Sequence, residues 1–307
     1  MNVVFFHIIS TASSYSQSST TFQFLKGWGA SGVDVFFVIS GFVMLHTQMI
    51  KRKSPLEFVK GRLIRIVPIY WVLTLFVASL FYLFPLIFRT LDFTRLQLFS
   101  SLFFVSSVFV DNGPIIYVGW SLEWEVLFYL FFAIALFSKT WRSFGLVVAL
   151  SLTLVAVFTK SSIVLEFLLG TVFAFLLHYK TISKKVGLIV FLVGFLLLAL
   201  SLIPAVKSFE INRFFKWGIP SFFIVLGLVY SSQVSNSLLV YLGGASYSIY
   251  LVQMLSIPLF YKLSSKLLVG WSPGVLALAC LVFSVSFGCF VYSFIEKPIT
   301  VRLRSFV

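Results

Sequence analysis

The chain has 307 residues, of which 60% are hydrophobic and only 10% are charged, and it carries a formal net charge of +14. A soluble domain carries about 25% charged residues, so this composition excludes a water-soluble globular protein. The basic residues lie mostly between apolar runs, where they orient membrane segments, and so little soluble sequence argues against nucleic-acid binding. The two cysteines, Cys280 and Cys289, share one apolar run and predict neither a disulfide framework nor a metal site.

Long apolar runs recur along the whole chain and predict an all-α, polytopic integral membrane bundle of about ten transmembrane helices. A further apolar stretch, 97–110, is too short for a span and suits an interfacial or re-entrant segment. No long soluble segment interrupts the runs, so we expect residues 1–307 to form a single transmembrane domain. The predicted spans cover residues 1–10, 30–49, 66–88, 117–137, 143–159, 162–179, 186–204, 214–231, 238–260 and 273–294.

The first apolar run, MNVVFFHIIS, is short and contains a histidine, His7. A helix needs about 20 residues to cross a bilayer, and this run has half that length. We therefore expect the first helix to be truncated. Its histidine is either incidental or a catalytic residue within the membrane.

The connection KRKSPLEFVKGRLIR, residues 51–65, is rich in lysine and arginine and is predicted to be cytoplasmic. A ten-span arrangement then places both termini and most of the 23 lysines and arginines on the cytoplasmic side. Arg62 and Arg65 stand where this connection enters the bilayer. Topology alone explains their charge, but the forked donors of arginine also suit phosphate groups, so a phosphate-bearing cytoplasmic cofactor is a second interpretation.

Four ionisable residues fall inside predicted spans, where such groups are costly and are functional candidates: His7, Asp34, Glu125 and Glu166. At about 1.5 Å per residue, the first three lie roughly 5, 6 and 12 Å below the outer edge, so they could share one cavity. Each also has a structural interpretation. The histidine could bond a neighbouring helix, Asp34 could cap its own helix, and Glu125 could pair with an arginine or a tyrosine. Glu166 precedes Gly170 and Ala174, whose spacing favours close helix packing over chemistry.

Six stretches follow one another in order over nearly the whole chain. They are GVDVFFVISGF (32–42), GRLIRIVPIYW (61–71), GWSLEWEVLFY (119–129), FLLGTVFA (167–174), LGGASYSIYL (242–251) and EKP (296–298). Together they resemble the successive motifs of the membrane-bound acyltransferase-3 family. The stretch GPIIYVGWSLEWEVLFY is most similar to the branch that acetylates exopolysaccharides.

This resemblance implies a ten-helix enzyme of the bacterial inner membrane. Such enzymes transfer an acyl group, usually acetyl from acetyl-CoA, to a hydroxyl of an exopolysaccharide, a lipopolysaccharide O-antigen or a lipid-linked glycan. The resemblance implies no metal, and it leaves the acceptor, the acyl chain and the oligomeric state open.

The resemblance also assigns residues. His7 matches a histidine considered essential in the family, although the arginine that precedes it by about ten residues would fall before Met1. Where the family often has a second histidine, after the SYSIYL motif, this chain has Gln253. The other matching positions are Asp34, Ser40, Arg62, Arg65 and Glu125.

The hypothesis for the mechanism is general-base acyl transfer. Histidine has an ordinary pKa of about 6.5, which suits a base near neutral pH. Asp34 or Glu125 could orient the ring of His7, and Ser40 or Tyr129 could stabilise the oxyanion. Arg62 and Arg65 would hold the CoA phosphates. An acyl-histidine relay is an equally open route.

A different class also fits a polytopic chain with buried acids, namely a transporter or flippase of a glycan or lipid-linked intermediate. Such proteins often show repeated halves with helices broken at matched positions, which we do not find here. Membrane vesicles with labelled acetyl-CoA distinguish the two, because only an enzyme consumes the CoA ester. A purely structural membrane protein would not explain six ordered motifs.

Overall fold

The computed structural model describes residues 1–15, 22–84, 94–179, 182–203, 206, 210–231 and 235–306. The described residues are 84% helix and contain no strand, which confirms the all-α prediction. The helices are α1 (Asn2–Ala12), α2 (Ser31–Ile50), α3 (Pro55–Leu83), α4 (Arg95–Leu102), α5 (Ser106–Phe109), α6 (Trp120–Ala135), α7 (Trp141–Thr159), α8 (Leu165–Tyr179), α9 (Lys184–Leu200), α10 (Ile219–Tyr230), α11 (Ser237–Leu267), α12 (Pro273–Val291) and α13 (Lys297–Arg304).

A helix lies at each predicted span, but fewer of them meet the requirements for crossing a membrane. Within the described residues, six segments are long and apolar enough to do so: Trp28–Ile50, Pro55–Leu83, Tyr117–Ala135, Trp141–Thr159, Ser237–Leu267 and Pro273–Arg304. The predicted count of about ten is therefore not confirmed. Two further apolar helical segments, Ser162–His178 and Phe214–Tyr230, are shorter. The ends of predicted spans 66–88 and 186–204 lie outside the described residues.

Local sequence explains several helix boundaries. The helix α3 begins with a capping box, in which Ser54 accepts from the backbone of Glu57 and the Glu57 side chain accepts from the backbone of Ser54. This reciprocal bonding satisfies two amide donors at a helix start. Asn236 caps α11 in a similar way with its side-chain oxygen. The stretch 97–110 contains only two short helices, α4 and α5, in agreement with the prediction that it is not a span.

The core is built around α2 and α8, which pack with their backbones in contact. A Cβ atom added at Gly41 would lie 2.0 Å from the carbonyl oxygen of Phe167, and one at Gly170 would lie 2.0 Å from that of Val38. Only glycine permits this approach. The close packing predicted from Gly170 is therefore present, and it fixes the depth of Asp34 and Glu166 on the two helices.

The ends of the helices define two opposite faces of the molecule. At one face, Arg52 donates to the carbonyl oxygens of Leu136 and Ser138 and lies 5.0 Å from the ring of Trp141, so the basic connection contacts the link between α6 and α7. At the other, Trp28 donates to the carbonyl of Leu198. Asp34 and Ile50 stand at opposite ends of α2, about 24 Å apart at 1.5 Å per residue. We call the face at the Ile50 end, with the basic connection, the basic face, and the face at the other end the Asp34 face.

Candidate active site

A cavity of about 410 Å³ opens between α1, α2, α3, α6 and α11. Most of its wall is apolar, including Val3 and Val4 of α1 and Phe36 of α2. Its polar side chains are Arg65, Ser121, Glu125, Ser246, Tyr247 and Tyr250. A largely apolar chamber with a few convergent polar groups is the usual form of a small-molecule site.

Glu125 is the acidic residue of this cavity, and its carboxylate is held in place. It is 4% exposed. The hydroxyls of Ser40, at 3.3 Å, and of Tyr129 both donate to its Oε1. Both hydroxyls are thus engaged by the carboxylate in this arrangement, and their role as oxyanion donors stays a prediction. The tyrosine partner proposed for Glu125 is confirmed.

The two arginines of the GRLIR motif lie near this carboxylate in different settings. Arg65 is exposed and lines the cavity. Arg62, one turn earlier on α3, is half-buried, with its guanidinium 5.6 Å from the ring of Phe58. Both are close enough to interact electrostatically with Glu125. The structure therefore brings three of the five predicted site residues together.

The SYSIYL stretch of α11 forms the opposite wall and is anchored to its neighbours. Tyr250 contacts the Ser121 hydroxyl at 2.8 Å and donates to the carbonyl of Val118 at 2.9 Å. Tyr247 donates to the carbonyl of Ile66 at 3.0 Å. These bonds fix α11 against α6 and α3, so the shape of the cavity is set by several elements far apart in sequence.

His7 lies beside the cavity rather than in its wall. Its half-buried ring packs against Phe6, at 4.8 Å between centroids, and edge-on against Tyr117, at 4.9 Å. It has no hydrogen bond or ion pair with any other residue in the described part of the chain. The lining residues Val3 and Val4 stand one turn before it on α1. Neither Asp34 nor Glu125 orients the imidazole here.

Asp34 pairs with an arginine that sequence reasoning counted only as a loop charge. Its carboxylate accepts from Nε of Arg213 at 3.0 Å and from Nη2 at 2.7 Å. The same Nη2 donates to the carbonyl of Ala30 at 3.3 Å. Asp34 does not line the cavity, so the expectation that His7, Asp34 and Glu125 share one chamber is wrong. The reason is that Arg213 binds the aspartate at its own helix end.

Two other glutamates lie outside this cavity. The Glu166 carboxyl lies beside that of Asp34, although neither of its oxygens meets the geometry of a hydrogen bond. Glu123 accepts from the backbone amides of Ser106 and Ser107 at 2.8 and 3.0 Å and from the Ser107 hydroxyl. It therefore anchors the start of α5. An acidic residue preceding an apolar run gave no sign of this role.

Comparison with known proteins agrees with these observations. A family profile described as an acyltransferase domain matches residues 1–293. The chain is 32% identical over 304 residues to the exopolysaccharide production protein ExoZ of Rhizobium meliloti (strain 1021), with 90% of this chain and 91% of that protein covered. No solved structure matches the chain. No group of residues in the described part of the chain could hold a metal ion.

Proposed function

Since this chain belongs to the acyltransferase-3 family and is a membrane acyltransferase, we propose that it moves an acetyl group from acetyl-CoA to a hydroxyl of an exopolysaccharide. The acceptor class is suggested by the name of the relative ExoZ. The observation that carries the proposal is the cavity whose largely apolar wall includes both Arg65 and Glu125. The single domain 1–307 lies in the inner membrane with both termini in the cytoplasm.

The residues present fit a CoA thioester as the acyl donor. Guanidinium groups bind phosphates with forked donors, and Arg65, in the cavity, and Arg62, one turn nearer the basic face, supply two of them. The apolar wall formed by Val3, Val4 and Phe36 suits an uncharged acyl arm. When bound, the thioester supplies an activated acyl carbon. Glu125 lies close enough to Arg65 to counter part of its charge.

His7 acts on the acceptor. As a general base, its imidazole takes the proton of the sugar hydroxyl while the oxygen forms a bond to the acyl carbon. The carbon–sulfur bond then breaks, and the imidazolium returns the proton to the leaving sulfur, so the ring ends neutral. In the relay form, a ring nitrogen of His7 bonds the acyl carbon as the carbon–sulfur bond breaks, and the ring N–H gives its proton to the leaving sulfur. The sugar oxygen then bonds the acyl carbon as the carbon–nitrogen bond breaks, and the hydroxyl proton returns to the ring. Tyr117 positions the ring by the edge contact.

Asp34 contributes through Arg213 rather than through His7. The ion pair joins α2 to the segment before α10 and closes the Asp34 face beside α6. We assign Asp34 a positioning role in the enzyme, with the arginine as the group that it positions.

The test compares two histidine variants in membrane vesicles supplied with labelled acetyl-CoA and isolated exopolysaccharide. We expect His7→Gln to reduce label transfer by at least about 100-fold, the usual contribution of a general base. His46→Gln is the matched control, because His46 stacks on Phe42 near the basic face. Equal transfer by wild type and His7→Gln at equal expression would contradict the role of His7. Movement of glycan without loss of the CoA ester would indicate a transporter instead.

A further inference from the structure

A second pocket, of about 340 Å³, lies on the Asp34 face. Trp120 and Trp124 of α6 form one side, and the other side is formed by polar residues that follow α7 and precede α10. These are Lys160, Ser161, Ser162, Asn212 and Arg213. It shares no lining residue with the cavity that contains Glu125.

The polar side of this pocket is held rigidly. Arg213 is fixed by its ion pair with Asp34 and lies 4.9 Å from the ring of Trp217 and 6.0 Å from that of Trp120. Asn212 accepts from the hydroxyl of Ser162 at 2.6 Å and from the amide of Phe214 at 2.9 Å. With its oxygen used in this way, the asparagine keeps its two N–H donors for a ligand.

These groups match the chemistry of a sugar ring. A pyranose has an apolar face of C–H groups that packs on an indole, and hydroxyls at its rim that need amide and hydroxyl partners. The half-buried tryptophans supply the first, and Asn212 and the serines supply the second. Lys160 is exposed and has no ion pair with any described residue, so it adds a free positive charge at the rim.

The position of the pocket suits the acceptor of the acyl group. Trp120 and Trp124 are four residues apart and so lie on one side of α6, while Ser121 and Glu125 occupy the adjacent side and line the larger cavity. Tyr117, just before the same helix, contacts His7. The helix α6 thus forms a wall of both spaces, and a residue of the turn just before it contacts the imidazole.

We propose that the pocket between Trp120, Trp124 and Asn212 binds an anionic sugar unit of the acceptor glycan, with Lys160 contacting its carboxylate. This inference rests on the proposed transfer to exopolysaccharide, which would present such a unit at the Asp34 face. The pocket holds a sugar next to the one that is acylated, so it sets which glycan is accepted.

The test measures sugar binding directly, with the full chain in lipid nanodiscs. The probes are two disaccharides of equal size, neutral cellobiose and the carboxylate-bearing cellobiuronate. Their binding is detected by saturation-transfer NMR, and the affinity of each is obtained by titration. We expect Trp124→Ala to weaken binding of both by about tenfold. Lys160→Gln should weaken only cellobiuronate and remove the preference for it. Trp271→Ala is the matched control, because Trp271 is an exposed tryptophan outside the pocket.

The unfolding temperature of Trp124→Ala shows whether the variant is folded. If it is folded and binds both probes as the wild type does, the proposal is overturned. The same variants are then assayed for acetyl transfer, where the KM for exopolysaccharide should rise and that for acetyl-CoA should not. Normal transfer kinetics in every pocket variant would also overturn it while leaving the proposed function intact. Sugar binding that depends on Trp124, in a protein that transfers no acetyl group, would instead support the sugar-binding pocket and refute the proposed function.

Discussion

A buried carboxylate and its arginine occupy the Asp34 face, and the two members are not equivalent. Asp34 is fully buried, whereas the side chain of Arg213 is 30% exposed. Glu166 lies beside the aspartate and brings a second carboxyl to the same place. Removing either partner leaves the other without its counter-charge, but only one of them can then be solvated.

We therefore expect an asymmetric loss of stability. Arg213→Gln leaves Asp34 buried next to another carboxyl and should destabilise the fold by about 3 kcal/mol, the cost of an unpaired buried charge. Asp34→Asn leaves a partly solvated guanidinium and should cost about 1 kcal/mol. The free energy of unfolding in detergent, measured by chemical denaturation, gives both values.

The double variant Asp34→Asn/Arg213→Gln provides the control for this pair. Because the buried aspartate is neutralised as well, it should be more stable than Arg213→Gln alone. A double variant that loses the sum of the two single effects would show that the pair is not coupled.

The same pair shows which contacts of single residues could not be predicted from the sequence. Glu125 could be selected from its depth, its motif and its need for a hydroxyl or arginine partner, and it lies in the cavity. The partner of Asp34 could not be found, because Arg213 is 179 positions away and resembled any other loop charge. Periodicity gives the face of a helix on which a residue lies, but not which distant loop folds over it.

At the scale of helices, the contact between α2 and α8 depends on two glycines, and one of these was readable in advance. The spacing of Gly170 and Ala174 indicated close packing, and the structure places Gly170 against the backbone of α2. The opposing glycine, Gly41, lies in the motif that also contains Ser40, whose hydroxyl donates a hydrogen bond to Glu125. A change in helix separation here would therefore move the Glu125 carboxylate in the cavity.

We expect Gly170→Ala to destabilise the protein by about 1–3 kcal/mol, because the added methyl group meets a carbonyl oxygen and the helices must separate. Its thermal unfolding temperature in detergent should fall, and acetyl transfer should fall with it. Gly61→Ala on α3 is the matched control. A methyl group there meets no atom within 4 Å, and replacing glycine by alanine in a helix is worth up to about 1 kcal/mol of added stability. Equal behaviour of the two variants would show that the α2–α8 contact is not tightly packed.

At the scale of the whole molecule, the helical class followed from composition, but the number of spans did not. The described residues contain six helices of sufficient length and apolarity, while others, such as α9 and α10, have 17 and 12 residues, fewer than the roughly 20 that a spanning helix usually has. Hydropathy alone cannot separate a short helix held inside a bundle from one that crosses the membrane. The assignment of the two faces does not depend on this count, because it follows from which connecting segments contact each other at each end of the helices.

The orientation of those faces is open to a direct test. Lys53 lies in the basic connection and Lys160 at the rim of the second pocket, and both side chains are exposed. The positive-inside rule places the first in the cytoplasm, and acceptance of an exported glycan requires the second to face outward. In a background with Cys280 and Cys289 replaced by alanine, we expect Lys160→Cys to react with a membrane-impermeant maleimide in intact spheroplasts, and Lys53→Cys to react only after lysis. Reaction of Lys53→Cys alone before lysis would place the acceptor pocket on the wrong side for a glycan exported from the cell. The CoA-facing and glycan-facing roles of the two faces would then have to be exchanged.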